Sequence, residues 1–147
     1  MGMLYTDQTM MERDFQSVMG VLREAPDTAA LRRTTLMAVI HLIEASAFET
    51  LSQYMTEDIE MHIAGTPIFA GSWYGYRDVT AAIAANFSKV TGQKPVIESM
   101  IQQDQVIAVR IRETGRIIAT GEEYAVRGVL WFEFEDALIR RIDEVVA

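Results

Sequence analysis

Residues 56–90 read TEDIEMHIAGTPIFAGSWYGYRDVTAAIAANFSKV, and the fold turns on them. Ile59, Met61 and Ile63 alternate with Asp58, Glu60 and His62. That is the period of a half-buried strand. Gly65, Thr66 and Pro67 stop it, because Pro removes a backbone donor and Gly permits a turn. A loop with three aromatics follows, holding Trp73, Tyr74 and Tyr76. A helix is expected from Gly75–Tyr76, with Asp78 in its first turn facing the positive end of the helix dipole. Val79, Ile83, Phe87 and Val90 fall at helical spacing and form one apolar stripe. Gly92 lies just past the end, where a left-handed cap is expected.

Working back toward the N-terminus, Ala25-Pro26-Asp27 is a break. Thr6–Glu24 before it has the pattern of an amphipathic helix, with Met11, Phe15, Val18, Met19 and Leu22 on one side. It is expected to dock on its own domain, so residues 1–25 form a helical extension and 26–147 the main domain. Asp27 or Thr28 caps a second helix running to about Ala45. Leu36–Ile43 is apolar on nearly every side and is expected to be buried on more than one face. His41 lies within that run, as a core residue or as a ligand contact. Phe48, Leu51, Tyr54 and Met55 suggest a short helical turn before the strand.

After Gly92 the pattern is that of strands. Pro95–Gln102 and Gln105–Glu113 are expected strands around a turn at Gln103-Asp104. Val106, Ala108, Arg110 and Arg112 share one face of the second; Ile107, Val109 and Ile111 share the other. Thr114-Gly115 reads as a hairpin turn. Arg116–Phe134 reads as a long, interrupted strand with bulges at Gly121 and Gly128. Glu135-Asp136 turns the chain into a last strand, Leu138–Val145, whose Arg140, Arg141, Asp143 and Glu144 read with Asp136 as a solvated charged surface. Helices first and an antiparallel meander afterwards make an α+β layout.

A chain of 147 residues is expected to form one domain with a sizeable core. Half its residues are hydrophobic and 23% charged, which fits a soluble globular protein and argues against disorder. A net charge of −8 disfavours nucleic acid as a partner, since phosphate binding needs a surplus of Lys and Arg. The absence of cysteine removes disulfides, thiolate metal sites and a Cys nucleophile, and fits a cytoplasmic protein. No apolar run approaches the roughly 20 residues of a membrane span. Two His, at 41 and 62, without a His-x-x-x-His pair, make a poor transition-metal set. No metal or other cofactor is expected.

The order of a helix, a short turn, TEDIEMHIAG, AGSWYGYRDVTAAIAANF and a meander containing VLWFEFEDALIRRIDEV resembles the SnoaL-like polyketide cyclases. These sit within the superfamily of nuclear transport factor two and the ketosteroid isomerases. The resemblance covers about Ala29–Val146. It implies a strongly curved, mixed or antiparallel sheet wrapped on helices into a cone, a cystatin-like α+β barrel. It also implies a mostly apolar pocket for a small apolar molecule, and a homodimer. His62 stands three residues before Gly65, the spacing of the isomerases' general-base Asp, and becomes the candidate acid or base. Strict alternation, however, puts His62 opposite Ile59, Met61 and Ile63, so a β-bulge, or a polar pocket-facing side, is needed to aim it inward.

The isomerases' second acid falls near Val129 or Leu130, both apolar. The segment after the Thr114-Gly115 turn offers Glu122, Glu123, Tyr124 and Arg127 instead. Trp73, Tyr76, Tyr124 and His41 are the candidate substrate contacts, the aromatic groups supplying both apolar area and polar handles. Two functions stay open. One is a cofactor-independent isomerase or cyclase working by acid–base chemistry on an apolar ring compound. The other is a non-catalytic ligand-binding or dimerisation domain of the same fold.

Overall fold

The computed structural model describes residues 28–147. The helix expected over Thr6–Glu24 and the extension 1–25 lie outside them. Helix α1 spans Thr28–Glu44. Its Leu36, Val39 and Leu42 are fully buried, and Met37, some 200° around the helix from Val39, is buried too. The helix is therefore covered on more than one side, as its composition implies. A 3₁₀ segment, Phe48–Tyr54, follows and buries Leu51 and Tyr54.

Strand β1 (Met55–Ala64) starts three residues earlier than its alternation suggests. Strand β2 (Gly71–Tyr74) occupies what reads in the sequence as an aromatic loop. It pairs antiparallel with β1, Trp73 opposite Met61 and Ser72 opposite His62. Four residues with a Gly at the start give too little pattern to mark a strand; the exposed edge of β1 makes it one. Helix α2 spans Tyr76–Ser88, begins at Gly75 with φ 85°, and buries Val79, Ala82 and Ile83. Gly92 is left-handed, with φ 63°. It is not a helix cap, because Lys89 ends the helix in the right-handed region. Gly92 lies instead inside β3, where the register shifts between Thr91 and Lys94.

Strands β3 (Val90–Gln103), β4 (Val106–Ile117), β5 (Glu123–Glu135) and β6 (Leu138–Val146) complete the chain. Pro95 is tolerated within β3 because β3 is an edge strand. The hairpin expected at Thr114-Gly115 is absent. The strand runs on to Ile117 and the chain turns at 118–122. Gly121, with φ 74°, belongs to that turn rather than to a bulge. Gly128 pairs regularly; the register shifts later, opposite Glu133 and Phe134, where β6 carries the extra residue Arg140.

The six strands make one open sheet in the order β2-β1-β6-β5-β4-β3. Every pairing is antiparallel except β1 with β6. Irregularities in β1, β3 and β6 bend the strands. The inner face carries Ile59, Met61, Ile107, Val109, Phe132, Phe134 and Ile139, which form one core with Leu36, Val39 and Leu42 of α1 and Val79 and Ile83 of α2. Among the described residues no helix is long and apolar enough to cross a membrane.

Candidate functional site

The inner face of the sheet divides into two halves. Under α1, Ile107, Val109, Phe132, Phe134 and Ile139 are buried. Farther along the same strands, Ile111, Glu113, Tyr124, Val126, Leu130 and Glu144 are only half-buried. This half is an apolar surface open to solvent, and its polar groups are two carboxyls and a phenol.

Each arrives by strand period. Ile107, Val109 and Ile111 point inward from β4, and Glu113 is the next residue in that phase. Tyr124 of β5 lies opposite Gly115, which brings its ring diagonally toward Glu113. Its hydroxyl donates to Glu113 Oε2 at 2.7 Å. Gly115 makes room for the ring, since a Cβ there would stand 2.6 Å from the Tyr124 hydroxyl and 2.7 Å from Cε1. Burial, and then the bond to Glu113, push the phenol well above its ordinary range.

Glu144 lies between Ile142 and Val146, both buried, and opposite Leu130 of β5 and Ile63 of β1. This apolar frame penalises its charged form. Burial first, and then the negative charge of Glu113, push the Glu144 carboxyl up to about 7. Among the described residues neither carboxylate has an ion-pair partner to oppose this. A carboxyl poised near neutrality both gives and takes protons at physiological pH.

Glu113 and Glu144 were not singled out by sequence. Glu144 reads as part of a solvated charged strand, and it is not: Arg140, Arg141 and Asp143 are the ones that face solvent, Arg140 pairing with Glu133 and Arg141 binding Asp143 and Glu60. The signal was available, because Ile142, Glu144 and Val146 share one phase. Counting neighbouring charges hid it.

His62 lies on the other side of the sheet. The β1–β6 pairing runs without a shift from Glu60 to Ala64, so no bulge rotates the imidazole inward. It sits with Glu60, Ser72, Tyr74 and Asp143 on the outer face. Trp73 shares the inner face with Met61, its ring folded over Gly71 and its body against the core. Tyr76 packs half-buried against the same core, with its hydroxyl accepting from Arg77 Nε at 3.4 Å. His41 is one turn from Met37 on α1, on the side turned away from Val39. Of the sequence candidates, Tyr124 is the one that joins this half of the inner face, through its bond to Glu113. Among the described residues no group of three or more His, Asp or Glu gathers as a metal site.

The role of Gly115 gives a direct expectation. Gly115→Ala displaces the Tyr124 ring and breaks its bond to Glu113, at a cost of about 1–3 kcal/mol. Alkaline titration followed by ultraviolet absorbance then shows one tyrosine ionising at lower pH than in the parent.

Comparison with known proteins places this architecture. Among curated protein sequences none matches the chain. An NTF2-like protein from Burkholderia xenovorans LB400 superposes with TM-score 0.70 at 17% identity, over 81% of this chain and 91% of that one. Bal32a, from a soil-derived mobile gene cassette, superposes with TM-score 0.72 at 19% identity, over 82% and 92%. TerC, co-crystallized with polyporic acid, superposes with TM-score 0.68 at 13% identity, over 80% and 92%. At these identities the likeness is one of fold. The SnoaL-like domain family matches residues 36–142, nearly all of the helix-and-sheet unit described above, and the chain belongs to that family.

Proposed function

We propose that the chain is a small-molecule pocket protein whose open inner face performs acid–base chemistry without a cofactor, as an isomerase or cyclase on an apolar ring-containing substrate. The observation that carries this is Glu144: an inward carboxyl in an apolar frame, poised near neutrality, beside a second carboxylate that holds a phenol. Protonated Glu144 donates to a substrate carbonyl oxygen as negative charge develops there. Glu113 takes the proton from the adjacent carbon, and Tyr124 steadies Glu113. The half-buried Ile111, Val126 and Leu130 supply the apolar floor. TerC, of the same fold, was co-crystallized with polyporic acid, and this is consistent with a small-molecule ligand here.

A panel of steroid enones and polyketide esters, followed by ultraviolet absorbance, tests the proposal. Turnover of one member is expected, with Glu144→Gln and Glu113→Gln each lowering kcat about 100-fold or more. Turnover that survives both substitutions overturns it.

The position of His62 supports a second function. The site where the isomerases carry their base is turned off the inner face, which suits a domain that binds a ligand without transforming it. Intact-protein mass spectrometry after gentle isolation separates the two: a retained apolar ligand, with no turnover of any panel member, supports binding alone.

The outer face favours self-association. Ile101, Val129, Trp131 and Val145 are 69%, 44%, 42% and 59% exposed, a concentration of apolar side chains that a lone subunit leaves in water. A homodimer is expected in sedimentation equilibrium, with Trp131→Glu shifting it to monomer at unchanged helix and strand content.

A further inference from the structure

The outer face holds a second constellation that the inner site does not use. His62 Nδ1 and Ser72 Oγ lie 2.8 Å apart, across adjacent strands in register. The opposite ring nitrogen, Nε2, is shielded from solvent and makes no hydrogen bond of normal length. Facing it at 3.6 Å is Glu60 Oε1. Glu60 is held in turn by Arg141, which also grips Asp143. Tyr74 closes one side, its ring edge-on to the imidazole at 5.7 Å.

This arrangement selects a tautomer. A carboxylate facing Nε2 favours the form with the proton there, because a lone pair in that position meets a negative charge. Nδ1 is then the acceptor, and the 2.8 Å contact is Ser72 Oγ–H donating to it. A hydroxyl hydrogen-bonded to a neutral imidazole, itself oriented by an anchored carboxylate, is the arrangement that activates a nucleophile. Ser72 is exposed, on an edge strand. The neighbouring Trp73 side chain lies on the opposite face and Gly71 has none, so the approach to Oγ is open. Every second N–H of an edge strand points away from the sheet unpaired, and such groups are the donors available to polarise a carbonyl.

We infer that Ser72, paired with His62, is a nucleophile that accepts an acyl group from small activated esters on the outer face of the sheet. Oγ bonds to the ester carbonyl carbon as its proton passes to Nδ1. The bond from carbon to the leaving oxygen breaks, and that oxygen departs with the proton, or as the anion while Nδ1 loses its proton to solvent, so that Nδ1 is free again. Water then adds to the acyl carbon, giving its proton to Nδ1. Ser72 Oγ leaves and recovers that proton, so the net change is hydrolysis. Glu60 acts through His62 and is a positioning residue. The site is three strands from Trp131, about 14 Å at normal strand spacing, and is separate from the inner face.

The full chain is incubated with p-nitrophenyl acetate, with nitrophenolate release followed by absorbance and the acetylated peptide located by mass spectrometry. Acetyl is expected on Ser72. Ser72→Ala and His62→Gln are each expected to lower release about 100-fold or more, the lower end of what a positioned base contributes. Glu60→Gln is expected to lower kcat with KM unchanged. Ser72 is exposed, so Ser72→Ala leaves the circular dichroism spectrum as it was. An acetyl group only on lysine, or equal release by Ser72→Ala, overturns the inference. An unchanged kcat in Glu60→Gln overturns the positioning role.

Discussion

Glu144→Gln is expected to stabilise the protein at pH 8 by about 2 kcal/mol while abolishing its acid–base function. In the folded chain the carboxyl keeps its proton up to about 7; its ordinary value is 4.5. Between those values the folded state binds the proton and the unfolded state does not. Stability therefore falls as pH rises through that window, and the loss is complete above the folded value. At about 1.36 kcal/mol per decade of proton affinity the shift corresponds to about 3 kcal/mol, which partial exposure of the side chain reduces to about 2.

Glutamine cannot ionise, so the variant lacks this loss. The parent and Glu144→Gln are expected to melt within a degree or two of each other at pH 4. They are expected to separate by roughly 6 °C at pH 8, the variant higher. Other titrating groups act on both proteins alike, so the difference isolates one carboxyl. Glu113→Gln removes the neighbouring negative charge and moves the fall to lower pH. Melting curves that coincide at every pH show instead that Glu144 ionises as an ordinary surface carboxylate. Stability gained where function is lost is the expected mark of a strained working group.

Gly65→Ala is expected to be the most destabilising single change in the sheet, at about 3–5 kcal/mol. Gly65 has φ 100°, a conformation that side chains rarely adopt. A Cβ there would stand 1.8 Å from the Val146 carbonyl oxygen and 2.9 Å from its carbon. Both obstacles are backbone, so no rotamer relieves them. The ends of β1 and β6 must separate, and Ala64 pairs with Val145 beside Glu144. The substitution is thus expected to lower the urea midpoint and also to bring the Glu144 titration toward its ordinary range. Gly121→Ala is the control. It has φ 74° and nothing within 4 Å of its Cβ, so its cost is limited to about 1–2 kcal/mol of backbone strain. Equal midpoints for the two variants contradict the close approach.

The element types and their faces were legible in the sequence because side-chain period is local. Ile59, Met61 and Ile63 define the inner face of β1 without any partner strand, and the same count turns His62 outward. Applied to Ile142 and Val146, that rule puts Glu144 inside; grouping it with the neighbouring charges as one solvated surface hid this. Val79, Ile83 and Phe87 give α2 in the same way. The family resemblance, resting on the order of these elements, yielded the superfamily and the α+β architecture.

Strand pairing is non-local, and there the sequence alone misled or was silent. Gly71–Tyr74 became a strand because β1 offered it an edge. Thr114-Gly115 looks like a turn, yet runs straight, because the Tyr124 ring fills the space that the glycine leaves. Glu113, Tyr124 and Glu144 belong to three strands, and only the register β4-β5-β6 brings them to one apolar mouth. Within a recognised strand, sequence by itself carried the alternation of faces, since each backbone step reverses the side chain. The tertiary structure alone decided which of them meet, since that depends on hydrogen-bonded register between distant segments.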